Sequence, residues 1–144
     1  MGRSSPPSPR RVEYRIASDP AHIAPLRRMM EAFAAECGFD ADACGEIGLC
    51  VNEAVANIIR HAYEGARDRP ILLTAEFDPP ALRISIRDWG NGVNPDELPE
   101  EQYNPAAPGG VGMLCLRLLM DKVVFMPQQP GMLLVMTRNL TERP

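Results

Sequence analysis

A carboxylate, an amide and an imidazole follow one another at four-residue spacing in this chain, as Glu53, Asn57 and His61. On a helix that spacing stacks all three along one side. There a carboxylate can take a proton and an amide oxygen can ligate a hard cation. Such a row is ordinarily a solvated polar face, and two further stretches bear on whether it is one here. Asp88-Trp-Gly-Asn-Gly92 sets a carboxylate ahead of two residues without side chains. A flat ligand could lie against that backbone while the acid accepts a hydrogen bond from it. Gly109-Gly-Val-Gly112 precedes a helical pattern, and free N–H groups at a helix start favour an anion such as phosphate. Taken singly, these two read as a turn and a hinge.

The elements that must position these residues follow from periodicity. Ile47, Val51, Ala54, Val55, Ile58 and Ala62 recur at three- and four-residue intervals, which predicts one helix over Glu46–Tyr63 with a buried face beside the polar row. Upstream, Val12–Ile16 alternates as a short strand. Ser18 or Asp19 is the expected N-cap before a helix from about Ala21 to Cys37, with Leu26, Met29, Met30 and Phe33 as its apolar stripe. Pro25 is the one residue at odds with that start. Gly38 closes this helix, and Asp40 or Asp42 opens the next.

Downstream, Ile71–Phe77 and Leu82–Asp88 read as a hairpin turned at Asp78-Pro-Pro80. Alternation puts Asp88 on the same side as Leu82, Ile84 and Ile86, so a core-facing acid needs a hydrogen-bond partner. Trp89–Pro108 has no period and is long enough to be a lid or binding loop. Met113–Met120 reads as a short apolar helix, and Val123–Met126 and Met132–Met136 as a last strand pair turned at Pro127–Gly131. The order predicts an α+β fold, a two-layer sandwich of a mixed, largely antiparallel sheet with helices on one face.

Composition narrows the function classes. With 144 residues, 45% apolar and 24% charged, the chain suits one domain with one core. Met1–Arg10 cannot bury apolar area and is expected to be a disordered arm, leaving 11–140 as the domain. A net charge of -4, with Lys122 as the only lysine, gives no electrostatic case for nucleic acid. No apolar run approaches a membrane span, and Arg3, Arg10 and Arg11 precede no apolar stretch, so a cytoplasmic protein is expected. Cys37, Cys44, Cys50 and Cys115 lack Cys-x-x-Cys spacing and read as small buried thiols. The second glycine run has no P-loop Lys or Ser/Thr, and Cys115 stands where a dinucleotide fingerprint needs glycine. Asp88–Val93 has Gly where a calcium loop needs oxygen.

In sequence order, Glu53-Ala-Val-Ala-Asn57 on a helix, Asp88-x-Gly-x-Gly92 after a strand and Gly110-x-Gly112 before a helix resemble the histidine-kinase-like ATPase (GHKL) superfamily. Asn52-Glu-Ala-Val-Ala-Asn57 and Leu119-Met-Asp-Lys-Val123 look most like its bacterial anti-sigma-factor serine kinases, over roughly Val12 to Arg138. The resemblance implies a Bergerat-type ATP-binding fold with an ATP lid at about 93–109. It implies that Asn57 ligates Mg²⁺, that Asp88 accepts from the adenine amino group, and that Gly90 and Gly92 admit the nucleotide. Gly110 and Gly112 would leave amides free for the phosphates, and Glu53 would be the general base for a serine hydroxyl. His61 and Arg60 are left either at the phosphate end or on the surface. Gly131-Met132 departs from the Gly-Thr of relatives, which puts one contact to the base in doubt. Implied partners are an anti-anti-sigma (STAS-type) protein and a sigma factor, with a homodimer through an exposed strand edge. The rival readings are an ATP-gated binding module without catalysis and a detached histidine-phosphorylating domain.

Overall fold

The computed structural model describes residues 8–92, 94 and 112–141. The expected lid, Gly110 and most of the expected N-terminal arm lie outside the described residues. Five strands form one sheet: β1 (Arg10–Ala17), β2 (Pro70–Asp78), β3 (Ala81–Asp88), β4 (Lys122–Pro127) and β5 (Met132–Asn139). Their spatial order is β1-β2-β3-β5-β4, and all four pairings are antiparallel. The parallel component allowed for by the expected mixed sheet is absent from these pairings. Each element after β1 returns beside its neighbour through a hairpin, except where helices intervene.

Among the described residues three α-helices accompany the sheet: α1 (Ile23–Cys37), α2 (Ala41–Asn57) and α3 (Gly112–Leu119). The period-two rows Ile71, Leu73, Ala75, Phe77 and Leu82, Ile84, Ile86 are buried, in one cluster with Leu26, Met30 and Phe33 of α1, Ile47, Val51 and Val55 of α2, and Leu116 of α3. Each such side chain contributes roughly 1.5–3 kcal/mol by leaving water. The helices therefore cover a single sheet face, as the alternation requires.

Local chemistry sets the helix ends. Asp19, not Ser18, caps the first turn, accepting from Ala21 N at 2.9 Å. A 3₁₀ turn over Pro20–His22 precedes α1, and Pro25 falls in α1's first turn, where a backbone N–H has no intrahelical acceptor to lose. Gly38 takes φ 106° and closes α1 with its N–H on Ala34 and Ala35 carbonyls. Asp40, not Asp42, opens α2 by accepting from Ala43 N at 2.8 Å.

The long helix departs from expectation at its functional end. After Asn57 the regular winding stops, and Ile58–Ala62 is a π segment. Tyr63 N donates to Ile58 O at 2.9 Å, five residues back rather than four. The side chains of Ile58, Ile59 and Ala62 stay buried through the change, so the apolar face is kept while carbonyls near the helix end are released from the α-pattern.

Candidate active site

Glu53 and Asn57 lie on the last turns of α2, and neither is on a solvated face: they are 9% and 6% exposed. Glu53 Oε2 is buried with no hydrogen-bond partner, and among the described residues it is alone in this. A buried polar atom left unpaired costs roughly 1–3 kcal/mol, so this carboxylate is kept at a cost in stability. His61, the third member of the expected row, falls inside the π segment and is half-exposed. Burial, then the charge of Arg60, lowers its pKa below 6.5, favouring the neutral ring near pH 7.

The π segment joins this row to the glycine box after β3. Asn91 N donates to Ala62 O at 3.0 Å, and Asn91 Nδ2 donates to His61 O at 2.9 Å. Gly90 is required at that junction, since a Cβ there would collide with the carbonyl oxygen of Ala62. Gly92 has φ 77°, where an L side chain is strained. Both glycines thus have a structural reason to be glycine, independent of any nucleotide.

Asp88 is 3% exposed, on the core side as the alternation predicts. Its carboxylate accepts from Gly90 N at 2.9 Å, and the backbone of Met132, its partner in the β3–β5 register, also favours the charged form. Burial outweighs these effects and raises its pKa above 3.8. The rest of the box is held from three sides. Tyr63 Oη donates to Pro70 O at 2.5 Å and accepts from Trp89 N at 2.8 Å. The Arg87 guanidinium lies 4.5 Å over the Trp89 ring and also donates to the Asp88 carbonyl. Gly131, at φ 96°, passes so close that a Cβ would meet that carbonyl oxygen.

Of the site residues expected from sequence, the structure brings Glu53 and Asn57 onto one buried helical stretch. Through the π segment it fastens Asp88, Gly90 and Gly92 to the end of that stretch. Gly112 is the first residue of α3, and Gly110 is outside the described residues. Tyr63 is not among the site residues expected from sequence, where it is the last residue of an apolar helix, and Gly131 enters there only through the Gly-Thr of relatives. The signal for Gly131 was its place beside Met132, whose pairing with Asp88 only the sheet register reveals. The four cysteines are free thiols, and burial pushes Cys37 up to about 11 and Cys50 up to about 12. Cys37, Cys44 and Cys50 are buried, in line with their reading as small buried thiols, while Cys115 is only half-buried.

The fold and the two motif-bearing segments define a nucleotide-binding ATPase-type domain. Residues 16–138 match the family described as histidine kinase-like ATPase domain, and the chain belongs to it. It is similar to the serine-protein kinase RsbW of Oceanobacillus iheyensis, with 24% identity over 91% of this chain and 87% of that protein. The Bacillus subtilis serine-protein kinase RsbW is 22% identical over 90% of this chain and 85% of its own. The crystal structure of the RsbU and RsbW domains of Rv1364c from Mycobacterium tuberculosis shares the fold at TM-score 0.70 and 17% identity, over 93% of this chain and 33% of that one. The histidine kinase domain of the Erythrobacter litoralis EL346 blue-light activated histidine kinase does so at TM-score 0.57 and 17% identity, over 84% of this chain and 60% of that one. The resemblance expected from the motifs, to this family and its serine-kinase branch, is met.

Proposed function

We propose that this chain is an ATP-dependent serine/threonine-protein kinase and anti-sigma factor. It phosphorylates an anti-anti-sigma (STAS-type) protein and sequesters a sigma factor when it does not. The observation that carries this reading is the buried, unpartnered Glu53 Oε2 one helical turn before the buried Asn57. The names of its relatives, serine-protein kinases matched along most of their length, support it.

In this reading Asp88 holds the adenine amino group, Gly90 and Gly92 let the nucleotide approach, and Gly110 and Gly112 would leave amides free for the phosphates. Asn57 would ligate Mg²⁺ through its amide oxygen, and the bound cation would neutralise charge on the phosphates. The residues fit that arrangement. Asn57 offers a hard amide oxygen on the buried turn after the unpartnered Glu53 Oε2, and Mg²⁺ needs few protein ligands when phosphates and water complete its shell. Glu53 Oε2 takes the proton of the incoming serine hydroxyl. The oxygen's lone pair forms a bond to the γ-phosphorus, the bond from that phosphorus to the bridging oxygen breaks, and its electron pair leaves on ADP. Glu53 then returns the proton to water.

A purely sequestering module has no use for an unpaired buried carboxylate, so Glu53 separates the enzyme from that rival. No helix among the described residues is long and apolar enough to cross a membrane. β1 lies at one edge of the sheet, the strand expected at a homodimer contact. The test is transfer from γ-labelled ATP with Mg²⁺ to candidate STAS-type proteins. The expected result is an acid-stable label on the partner. Nucleotide binding without any labelled partner would sink the kinase reading, and an acid-labile label would point to phosphohistidine instead.

A further inference from the structure

The orphaned carboxylate also borders a cavity of about 340 Å³ on the flank of α2, between that helix and the Pro20–His22 turn. Ile23, Ala56 and Ile59 make its walls apolar, while Asn52, Glu53 and Arg60 supply its polar lining. Its volume lies at the small end of the range for ligand pockets. None of the residues that hold Asp88 lines it. A larger cavity, about 480 Å³ near Asp40 and Glu46, offers no comparable opening for chemistry. There Glu46 pairs with Arg138 at 3.1 Å and Asp40 caps α2.

We propose that the smaller cavity is the acceptor subsite. It takes an aliphatic side chain next to the acceptor serine or threonine of the partner protein, and so delivers the hydroxyl to Glu53. This rests on the kinase reading above and adds the rule by which the site selects its substrate. Glu53 lacks a hydrogen-bond donor, and a hydroxyl is the donor that reading requires. The wall opposite it is apolar, so the residue beside that hydroxyl is one that gains by leaving water. Asn52 offers a donor to the carbonyls of an extended acceptor segment.

The test uses the full chain, ATP with Mg²⁺, and a STAS-type protein that the wild type labels. Ala56→Leu adds bulk to a half-buried helical position without breaking the helix. It should leave nucleotide-induced thermal stabilisation unchanged while raising KM for the acceptor about tenfold or more, the usual scale for steric mismatch in an apolar pocket. Shaving the acceptor's flanking aliphatic residue to alanine should then restore most of the loss in Ala56→Leu. Ile23→Ala, on the facing wall, should raise KM for the unaltered acceptor by a smaller factor. Wild-type KM in Ala56→Leu, or no rescue by the shaved acceptor, overturns the proposal, as does loss of the nucleotide-induced stabilisation. A wild type that binds nucleotide yet labels no partner is a different failure, which removes the kinase reading and this subsite with it.

Discussion

The two halves of the site treat their buried acids in opposite ways. On the helical half, Glu53 is left with an oxygen that nothing in the described protein satisfies. On the sheet half, Asp88 is held by Gly90 N with the Met132 backbone favouring its charge, and the surrounding backbone is fixed by Tyr63 and Gly131. A satisfied acid in a rigid frame suits recognition, because its geometry is settled before a ligand arrives. An unsatisfied one suits chemistry, because its capacity to accept a proton is not already used. The π segment between them lets one helix serve both, its carbonyls docking Asn91 while its buried side chains keep the core.

The contrast can be broken at either end. Glu53→Gln should have the largest effect, lowering phosphoryl transfer by roughly 10²–10⁴. Nucleotide binding and folding should persist, because Oε2 has no hydrogen bond to lose. Single-turnover labelling beside thermal stabilisation by ATP separates the two. Gly131→Ala should act through structure instead. A methyl at φ 96° driven toward the Asp88 carbonyl should cost roughly 2–4 kcal/mol, read as a lowered urea midpoint.

Asp88→Asn should weaken nucleotide binding by about 1.5–3 kcal/mol, the worth of a hydrogen bond to a charged group, with little change in folding. Its pH signature sharpens the test. The folded-state pKa of Asp88 is raised above 3.8, chiefly by burial. The stability it contributes is therefore fully present below that value and lost as pH rises through the folded-state pKa. Urea midpoints across this range should show that loss in the wild type and not in Asp88→Asn, while wild-type nucleotide affinity falls as pH drops through the same window. Tyr63→Phe is the mildest change. Without its hydroxyl, Trp89 N and Pro70 O lose a shared partner, so stability should fall by about 1–2 kcal/mol. The fluorescence of Trp89, the only tryptophan, should report a loosened box.

Much of this was legible in the chain because it is local. The strand alternation placed Asp88 on the core side, and the helical period placed Glu53 one turn from Asn57. The same period misjudged the helix end. Hydrophobic spacing does not distinguish an α-turn from a π-turn when both keep Ile58 and Ala62 inside, so His61 was set in a row that the backbone does not continue. Gly90 and Gly92 were read for a ligand's approach. Their constraints are a helix carbonyl and a left-handed backbone, and the first of these lies far away in sequence.

By itself the sequence determined the elements, their order, the buried acid of β3 and the carboxylate–amide pair of α2, since periodicity and motif spacing are properties of neighbouring residues. Only the tertiary structure decided that Glu53 is orphaned while Asp88 is held. That difference depends on which groups distant segments bring near, Met132 through the β3–β5 register and Gly90 through a turn seated on the end of the π segment. Hydrogen-bond satisfaction is a property of the packed chain, and no spacing along it records whether a partner arrives.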